Sequence, residues 1–378
     1  MRSILFALFL LVFSCVQAQP PAPSVPRPPV LAAKSYLLYD FNSEQVLVAH
    51  NAQQRAEPAS LTKLMTAYLS FDALKKKAIR GDQTVTVSAQ ARRADGSRMF
   101  IEVGKPVTVD ELLRGMIVQS GNDASIALAE TVAGSEEAFA RLMNREAQRL
   151  GLKNSSFANA TGLPHPQHYS TAQDLALLAA ALIRDFPEYY PLYAQKQFRY
   201  NNITQPNRNR LLWTDPTVDG LKTGHTENAG YCLISSARRG ERRLISVMIG
   251  AASESARASE SQKLLNHGFQ FYDSVRLYAK GQPVTTLRVW KGTANEINAG
   301  FNSDLHLAVP KGGGDKLQAS IESMQPLLAP ISAGQKVATL KLSLDGRPYG
   351  DFPVVALEEV PLAGIFGRGW DAIRLFFK

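Results

Sequence analysis

Glu57-Pro58-Ala59-Ser60-Leu61-Thr62-Lys63-Leu64-Met65-Thr66 is the stretch on which the reading of this chain turns. Apolar residues at Leu61, Leu64, Met65, Tyr68 and Leu69 fall at helical spacing and predict a helix over 61–74. Positions i and i+3 share a helix face, so Ser60 at the helix start presents its hydroxyl beside the Lys63 amine. A free serine hydroxyl is a poor nucleophile and needs a base within hydrogen-bond reach. A lysine can serve where burial and nearby positive charge depress its pKa. By itself the pattern says little, since about one Ser-x-x-Lys is expected by chance in a chain of this length.

Two further triplets change its weight. Ser120-Gly121-Asn122 lies between two helical stretches, 109–116 and 124–132, where Ser and Asn could pass a proton and hold a substrate amide. Read alone it is a turn, or a cap formed by Asn122-Asp123. Lys222-Thr223-Gly224 precedes a strand-like run. Lys and Thr can bind a carboxylate, the lysine charge would lower the pKa of Lys63, and Gly224 would let a substrate backbone approach. Ser-x-x-Lys, Ser-x-Asn and Lys-Thr-Gly in this order form a recognised catalytic set, and their joint occurrence is not a matter of chance.

Outward from these motifs, Tyr36–Asp40 and Val46–Ala49 read as a hairpin turning at Asn42-Ser43-Glu44. Further helices are expected over 137–150, stopping at Gly151, and over 171–183, with Thr171 as N-cap. Asp174 is read as bracing the loop before the latter helix. Gly230–Ala237 and Arg243–Gly250 read as strands and Ser255–Phe271 as a helix. Strands first, helices between, then strands and a last helix predict an α+β sandwich whose sheet is closed by distant parts of the chain. Beyond Tyr272 the helical periodicity gives way to short β-rich runs between Gly, Asn and Asp turns, a small all-β domain. Finally Leu362, Phe366, Trp370, Ile373 and Phe377 fall on one helical face, and Arg368, Asp371, Arg374 and Lys378 on the other. Charges within this run argue against a span. A helix lying in a membrane interface is expected, in preference to one packed on its own domain.

At the other end, Arg2, the apolar run Ile4–Val12 and Val16-Gln17-Ala18 have the layout of a secretory signal peptide over 1–18. A Pro- and Ala-rich linker follows over 19–33. Loss of Cys15 with the signal leaves Cys232 alone, without an internal disulfide partner and placed as a small buried residue. With 45% hydrophobic and 20% charged residues, the chain is neither a multi-span membrane protein nor a disordered one. A formal charge of +9 without a basic run points to anionic lipid or cell wall rather than nucleic acid. His165 and His168 flank Pro166, but no third ligand has suitable spacing, so a loop role is expected there and no metal.

With the three motifs, the runs Glu57–Thr66, Asn159-Ala160-Thr161-Gly162-Leu163-Pro164 and Asp219-Gly220-Leu221-Lys222-Thr223-Gly224-His225-Thr226 make the chain resemble the low-molecular-mass penicillin-binding proteins of the type 5 D-alanyl-D-alanine carboxypeptidase family. The likeness covers nearly the whole mature chain. It implies a penicillin-binding/β-lactamase-like sandwich over 34–273, a β-rich domain over 274–358 and an amphipathic anchor helix over 359–378. It also implies a periplasmic enzyme, peripheral on the outer face of the inner membrane, that removes the terminal D-alanine of peptidoglycan stem peptides and is trapped by β-lactams. In that scheme Ser60 is the nucleophile, Lys63 the base, Ser120 the proton relay, and Asn122 positions Lys63 and the substrate amide. Lys222 and Thr223 take the terminal carboxylate, and the N–H groups of Ser60 and His225 form the oxyanion hole, with no metal or cofactor. Arg257 is weighed equally as a carboxylate ligand and as a surface helix arginine. A D,D-endopeptidase would share all three motifs. A class A β-lactamase would carry Ser-Asp-Asn and a deacylating glutamate near Asn159–Gly162, where none stands. A non-catalytic scaffold would have lost a motif residue, and none is lost.

Overall fold

The computed structural model of the chain describes residues 25–376. The expected signal peptide, the first part of the linker, and Phe377 and Lys378 lie outside the described residues.

A five-stranded antiparallel sheet lies at the centre of the first domain. Its strands are β1 (Ser35–Asp40), β2 (Gln45–His50), β3 (Val218–Thr226), β4 (Gly230–Arg239) and β5 (Arg242–Ala251), in the order β2-β1-β5-β4-β3. The first hairpin thus joins the late strands through β1 and β5, with Leu37 opposite Val247. Both faces of the sheet are covered, which is why its strands read as almost unbroken apolar runs. Leu37, Tyr39, Ile245, Val247 and Ile249 face a core built with the intervening helices. Tyr36, Leu38, Leu244 and Met248 alternate to the other face and pack on Leu264 and Leu265.

The intervening helices are α1 (Lys63–Lys75), α2 (Val109–Val118), α3 (Asn122–Ala133), α4 (Glu136–Arg149) and α5 (Ala172–Asp185); α6 (Glu254–Phe271) follows the sheet. Their starts follow local chemistry. Thr108 and Glu111 close a capping box on α2, Thr171 caps α5 and Ser253 caps α6. The expected helix over 61–74 is a 3₁₀ turn, Ala59–Thr62, running into α1, so Ser60 sits in the tighter turn. Asp174 accepts hydrogen bonds from Asn154 N and Ser155 Oγ, bracing the loop before its helix as the sequence suggested.

β3 is an edge strand, paired with β4 alone. Lys222-Thr223-Gly224 lies in its middle rather than ahead of a strand. The base of β3 is fixed by a cluster in which Arg243 and Tyr190 are buried and Asp219 is half-buried. Arg243 on β5 makes two 2.7 Å bonds to the Asp219 carboxylate, and Tyr190 OH donates to the same group at 2.7 Å.

From Tyr272 the chain forms β6 (Tyr272–Tyr278), β7 (Pro283–Trp290), β8 (Glu296–Gly300), β9 (Leu305–Pro310), β10 (Leu317–Ser323), β11 (Leu327–Leu328), β12 (Lys336–Leu344) and β13 (Arg347–Ala356). β6 pairs with β9, and the others form one sheet in the order β10-β12-β13-β8-β7-β11 around a separate apolar core. Gln45 on β2 links the two domains, its Oε1 accepting from Ala308 N at 2.7 Å and Tyr349 OH at 3.1 Å. The last helix, α7 (Ile365–Phe376), is held to this domain by Asp371, which accepts from Lys291 N at 2.6 Å; Ile365 and Trp370 are 77% and 63% exposed. Among the described residues no helix is long and apolar enough to cross a membrane.

Asp219→Ala would leave the Arg243 guanidinium without its carboxylate. With Asp219 half-buried, the change is expected to lower stability by about 1–2 kcal/mol, read as a shifted urea midpoint at unchanged slope.

Candidate active site

One cavity of about 480 Å³ opens where the 3₁₀ turn, the α2–α3 connection, the loop after Phe157 and edge strand β3 meet. Ser60, Ser120, Asn122, Thr223, Gly224, His225 and Arg257 line it, and Lys63 and Lys222 lie buried behind. All nine residues singled out from the sequence are therefore brought together.

Lys63 is the centre of the arrangement. It is 1% exposed, and its Nζ donates to Ser60 Oγ at 2.9 Å, Asn122 Oδ1 at 2.6 Å and the Thr161 carbonyl at 2.6 Å. Asn122 Nδ2 donates to Asp95 O at 2.6 Å, which fixes the amide with its oxygen towards the lysine. Burial pushes the Lys63 amine down to about 7; the Arg208 charge lowers it further, and Asp123 opposes. The neutral amine has two hydrogens and one lone pair. Asn122 Oδ1 and the Thr161 carbonyl can only accept, so they take the two hydrogens and leave the lone pair for the Ser60 hydroxyl. Lys222 is held well below the usual lysine range by burial first, then by Lys63, Arg208 and Arg257.

The Thr161 carbonyl is placed by Asn159-Ala160-Thr161-Gly162. Asn159 Oδ1 accepts from the N–H groups of Thr161 and Gly162, Glu136 accepts from Ala160 N, and Thr66 Oγ1 donates to Ala160 O. Gly162 has φ +86°, and a Cβ there would lie 1.8 Å from Ala59 O, so only glycine lets the loop rest on the 3₁₀ turn that carries Ser60. His168 pins the same loop. Ala158 N donates to its Nδ1 at 3.2 Å, which assigns the ring proton to Nε2, 2.8 Å from Thr62 Oγ1.

Arg257 is 3% exposed, its Nη1 3.3 Å from the Gly224 carbonyl, so it is not a surface helix arginine. The reason given for Gly224 also changes. A Cβ there would sit 3.2 Å from Ala59 Cβ, Pro58 O and Ser60 N, so the glycine serves contact between β3 and the 3₁₀ turn. The sequence reading missed Arg208, whose exposed side chain lines the cavity between the buried Asn207 and Asn209. Asn209 Nδ2 donates to Gly220 O and Asn207 Nδ2 to Gln195 O, anchoring that backbone. Asn-Arg-Asn was the signal, without meaning until the loop lay beside β3. The Thr161 carbonyl was missed too, since a backbone group leaves no mark in residue type.

Residues 22–253 match the family model described as D-alanyl-D-alanine carboxypeptidase, and residues 272–362 match that of the penicillin-binding protein 5 C-terminal domain. The chain is 43% identical to D-alanyl-D-alanine carboxypeptidase DacC of Escherichia coli (strain K12) over 357 residues, 92% of this chain and 89% of that one. It is 41% identical to DacA of the same strain over 361 residues, 93% and 90% of the two chains. Among solved structures, penicillin binding protein 5 from Haemophilus influenzae superposes with a TM-score of 0.85 at 40% identity, covering 88% of this chain and 99% of that one.

Burial lowers the His168 pKa from 6.5 to about 4, whereas the unfolded chain takes up the proton near 6.5. Stability is therefore full above pH about 6.5 and falls as the pH drops towards 4, by on the order of 3 kcal/mol in total. His168→Gln, which cannot titrate there, is expected to flatten this acid slope in denaturant melts taken from pH 7 to 4.

Proposed function

The chain belongs to the D-alanyl-D-alanine carboxypeptidase family and is a serine D-Ala-D-Ala carboxypeptidase of peptidoglycan stem peptides; from that premise we propose the following roles for its residues. Ser60 is the nucleophile and Lys63 its base. The observation that carries this is the buried Lys63 amine, with two of its partners restricted to accepting and Ser60 Oγ as the third.

The Ser60 proton passes to Lys63 as Oγ bonds to the carbonyl carbon between the two terminal D-alanines. The carbonyl oxygen becomes an anion between the N–H groups of Ser60 and His225. Ser120, 3% exposed on the cavity wall, relays the proton from Lys63 to the departing amine, and free D-alanine leaves. Asn122 holds Lys63 and the substrate amide. The terminal carboxylate meets Thr223 and the positive charge of Arg257 and Arg208, with Lys222 buried behind them. Water, activated by Lys63, then hydrolyses the ester. A β-lactam enters by the same attack and stays as the acyl-enzyme. Among the described residues Glu254 is the single acidic side chain lining the cavity, and it lies on α6 against Arg257 rather than on the 159–162 loop, which favours a carboxypeptidase over a β-lactamase.

Stem peptides place the reaction in the periplasm. We assign α7 to docking on the outer face of the inner membrane. In support, Ile365 and Trp370 are exposed while Asp371 ties the helix to the second domain, so the apolar side chains are presented from a fixed support.

Intact-protein mass spectrometry after incubation with penicillin tests the first reading. The wild type is expected to gain one drug mass and Ser60→Ala none, with D-alanine released from a pentapeptide by the wild type alone. Because the base must be neutral, acylation is expected to rise with pH through an apparent value near 7. An unlabelled, folded wild type would refute it. Removal of residues 361–378 is expected to move the protein from the membrane pellet to the supernatant with unchanged kcat on a soluble peptide. A truncated form that still pellets would refute the docking role.

A further inference from the structure

The two N–H groups assigned to the oxyanion hole come from distant parts of the chain: Ser60 from the 3₁₀ turn, His225 from near the end of β3. Stabilising one oxyanion requires both donors about 2.7–3.1 Å from a single point, so the spacing of turn and strand must be held closely. Among the described residues no backbone hydrogen bond joins the two. The bare Gly224 sets how near they can come. Contact of this kind does not stop the strand from sliding or drawing away.

Glu57, three residues before Ser60, reaches across the gap. Its Oε2 accepts from Thr226 Oγ1 at 2.9 Å and its Oε1 from Asn228 Nδ2 at 3.0 Å. Thr226 directly follows His225, and both donors are themselves held: Thr226 Oγ1 accepts from Ala229 N at 3.0 Å, and Lys34 Nζ donates to Asn228 O at 2.9 Å. On its own side, Ala56 exchanges backbone hydrogen bonds with Ser170 at 2.9 and 3.0 Å. Among the described residues these two bonds from Glu57 are the only hydrogen bonds between 57–63 and 218–229.

We propose that Glu57 is a positioning residue for the reaction: a carboxylate strap that holds the Ser60 and His225 N–H groups at the spacing the oxyanion needs. The proposal rests on the reading above that these two groups form the hole. Glu57 lines the outside of the cleft, not the reaction cavity, so it touches no reacting atom. A carboxylate suits the place because two donors converge on it and both its oxygens only accept. Aspartate keeps that chemistry with a shorter reach, glutamine keeps one acceptor, and alanine keeps neither.

The test uses the full-length enzyme and its Glu57→Ala, Glu57→Gln and Glu57→Asp variants. Stopped-flow acylation by penicillin is resolved into a dissociation constant for the non-covalent complex and an acylation rate constant. Affinity for a peptide boronic acid, whose tetrahedral adduct with Ser60 occupies the hole, is measured beside it, and thermal melts report the fold. Loss of one hole donor costs about 10²–10³ in rate, so loss of the strap is expected to cost about 10- to 100-fold in Glu57→Ala. The dissociation constant should stay within about twofold, boronate affinity should fall in step with the rate, Glu57→Gln should lie between, and Glu57→Asp should recover most of the rate. If Glu57→Ala does not fold, Thr226→Val combined with Asn228→Ala removes both donors and must reproduce the defect. Wild-type acylation by Glu57→Ala, a loss shared equally by non-covalent binding, or no recovery in Glu57→Asp would each overturn the strap alone. A wild-type chain that takes up no penicillin would overturn the functional reading and the strap with it.

Discussion

A lysine side chain cut off from water is the constraint on which this structure depends. A buried ammonium is costly, so the group gives up its proton near neutrality, and the neutral amine must then find acceptors for its hydrogens. Each partner of the amine, the two acceptors and the Ser60 hydroxyl that meets its lone pair, draws in a different part of the chain. Asn122 requires the α2–α3 connection, where Ser120 sits at φ +68°. The Thr161 carbonyl requires a loop clamped by Asn159, Glu136, Thr66 and His168. Ser60 requires the tight turn before α1. Three segments that share no secondary structure are thus fixed by the needs of one nitrogen.

The outline of this arrangement was legible in the residues. Apolar period and capping residues placed the long helices within about two residues of their observed ends, since burial on one face and a side-chain cap are local facts. The strands were legible for the opposite reason: covered on both sides, they carry apolar residues in both phases. Three motifs picked out side chains that the fold gathers at one cavity, because they were chosen by residue type. What stayed hidden was work done by the backbone and by distance. Nothing in Thr161 announces that its carbonyl will meet Lys63, and Arg208 reads as one more surface arginine until β3 lies beside it. Arg257 shows the same limit, since its helix register allowed either a solvent or a cleft position and packing on Gly224 decided it.

The two domains meet through polar groups rather than a merged core. Asp40, fully buried, receives Arg242 Nε at 2.8 Å, and the same guanidinium donates to Gly268 O and Tyr272 O, where α6 gives way to β6. Gln45 carries the second link, to Ala308 and Tyr349. A junction of this kind fixes direction, because hydrogen bonds constrain angle where apolar contact does not. The second domain therefore holds α7 at a set orientation to the cleft.

The pairing of β1 with β5 joins residues some two hundred positions apart, with Ser35 opposite Ile249 and Asp40 opposite Leu244. Closing so long a loop is entropically unfavourable until the sheet contacts form, and chains rich in such pairings fold slowly. Ser60 and β3 lie on the two sides of that closure, so they meet only in the finished sheet. A chain emerging residue by residue carries Ser60 and Lys63 early, yet they remain inert until the segment through Ala251 has arrived and paired. The cavity is thus a late product of folding, since its two walls come together only when the sheet closes.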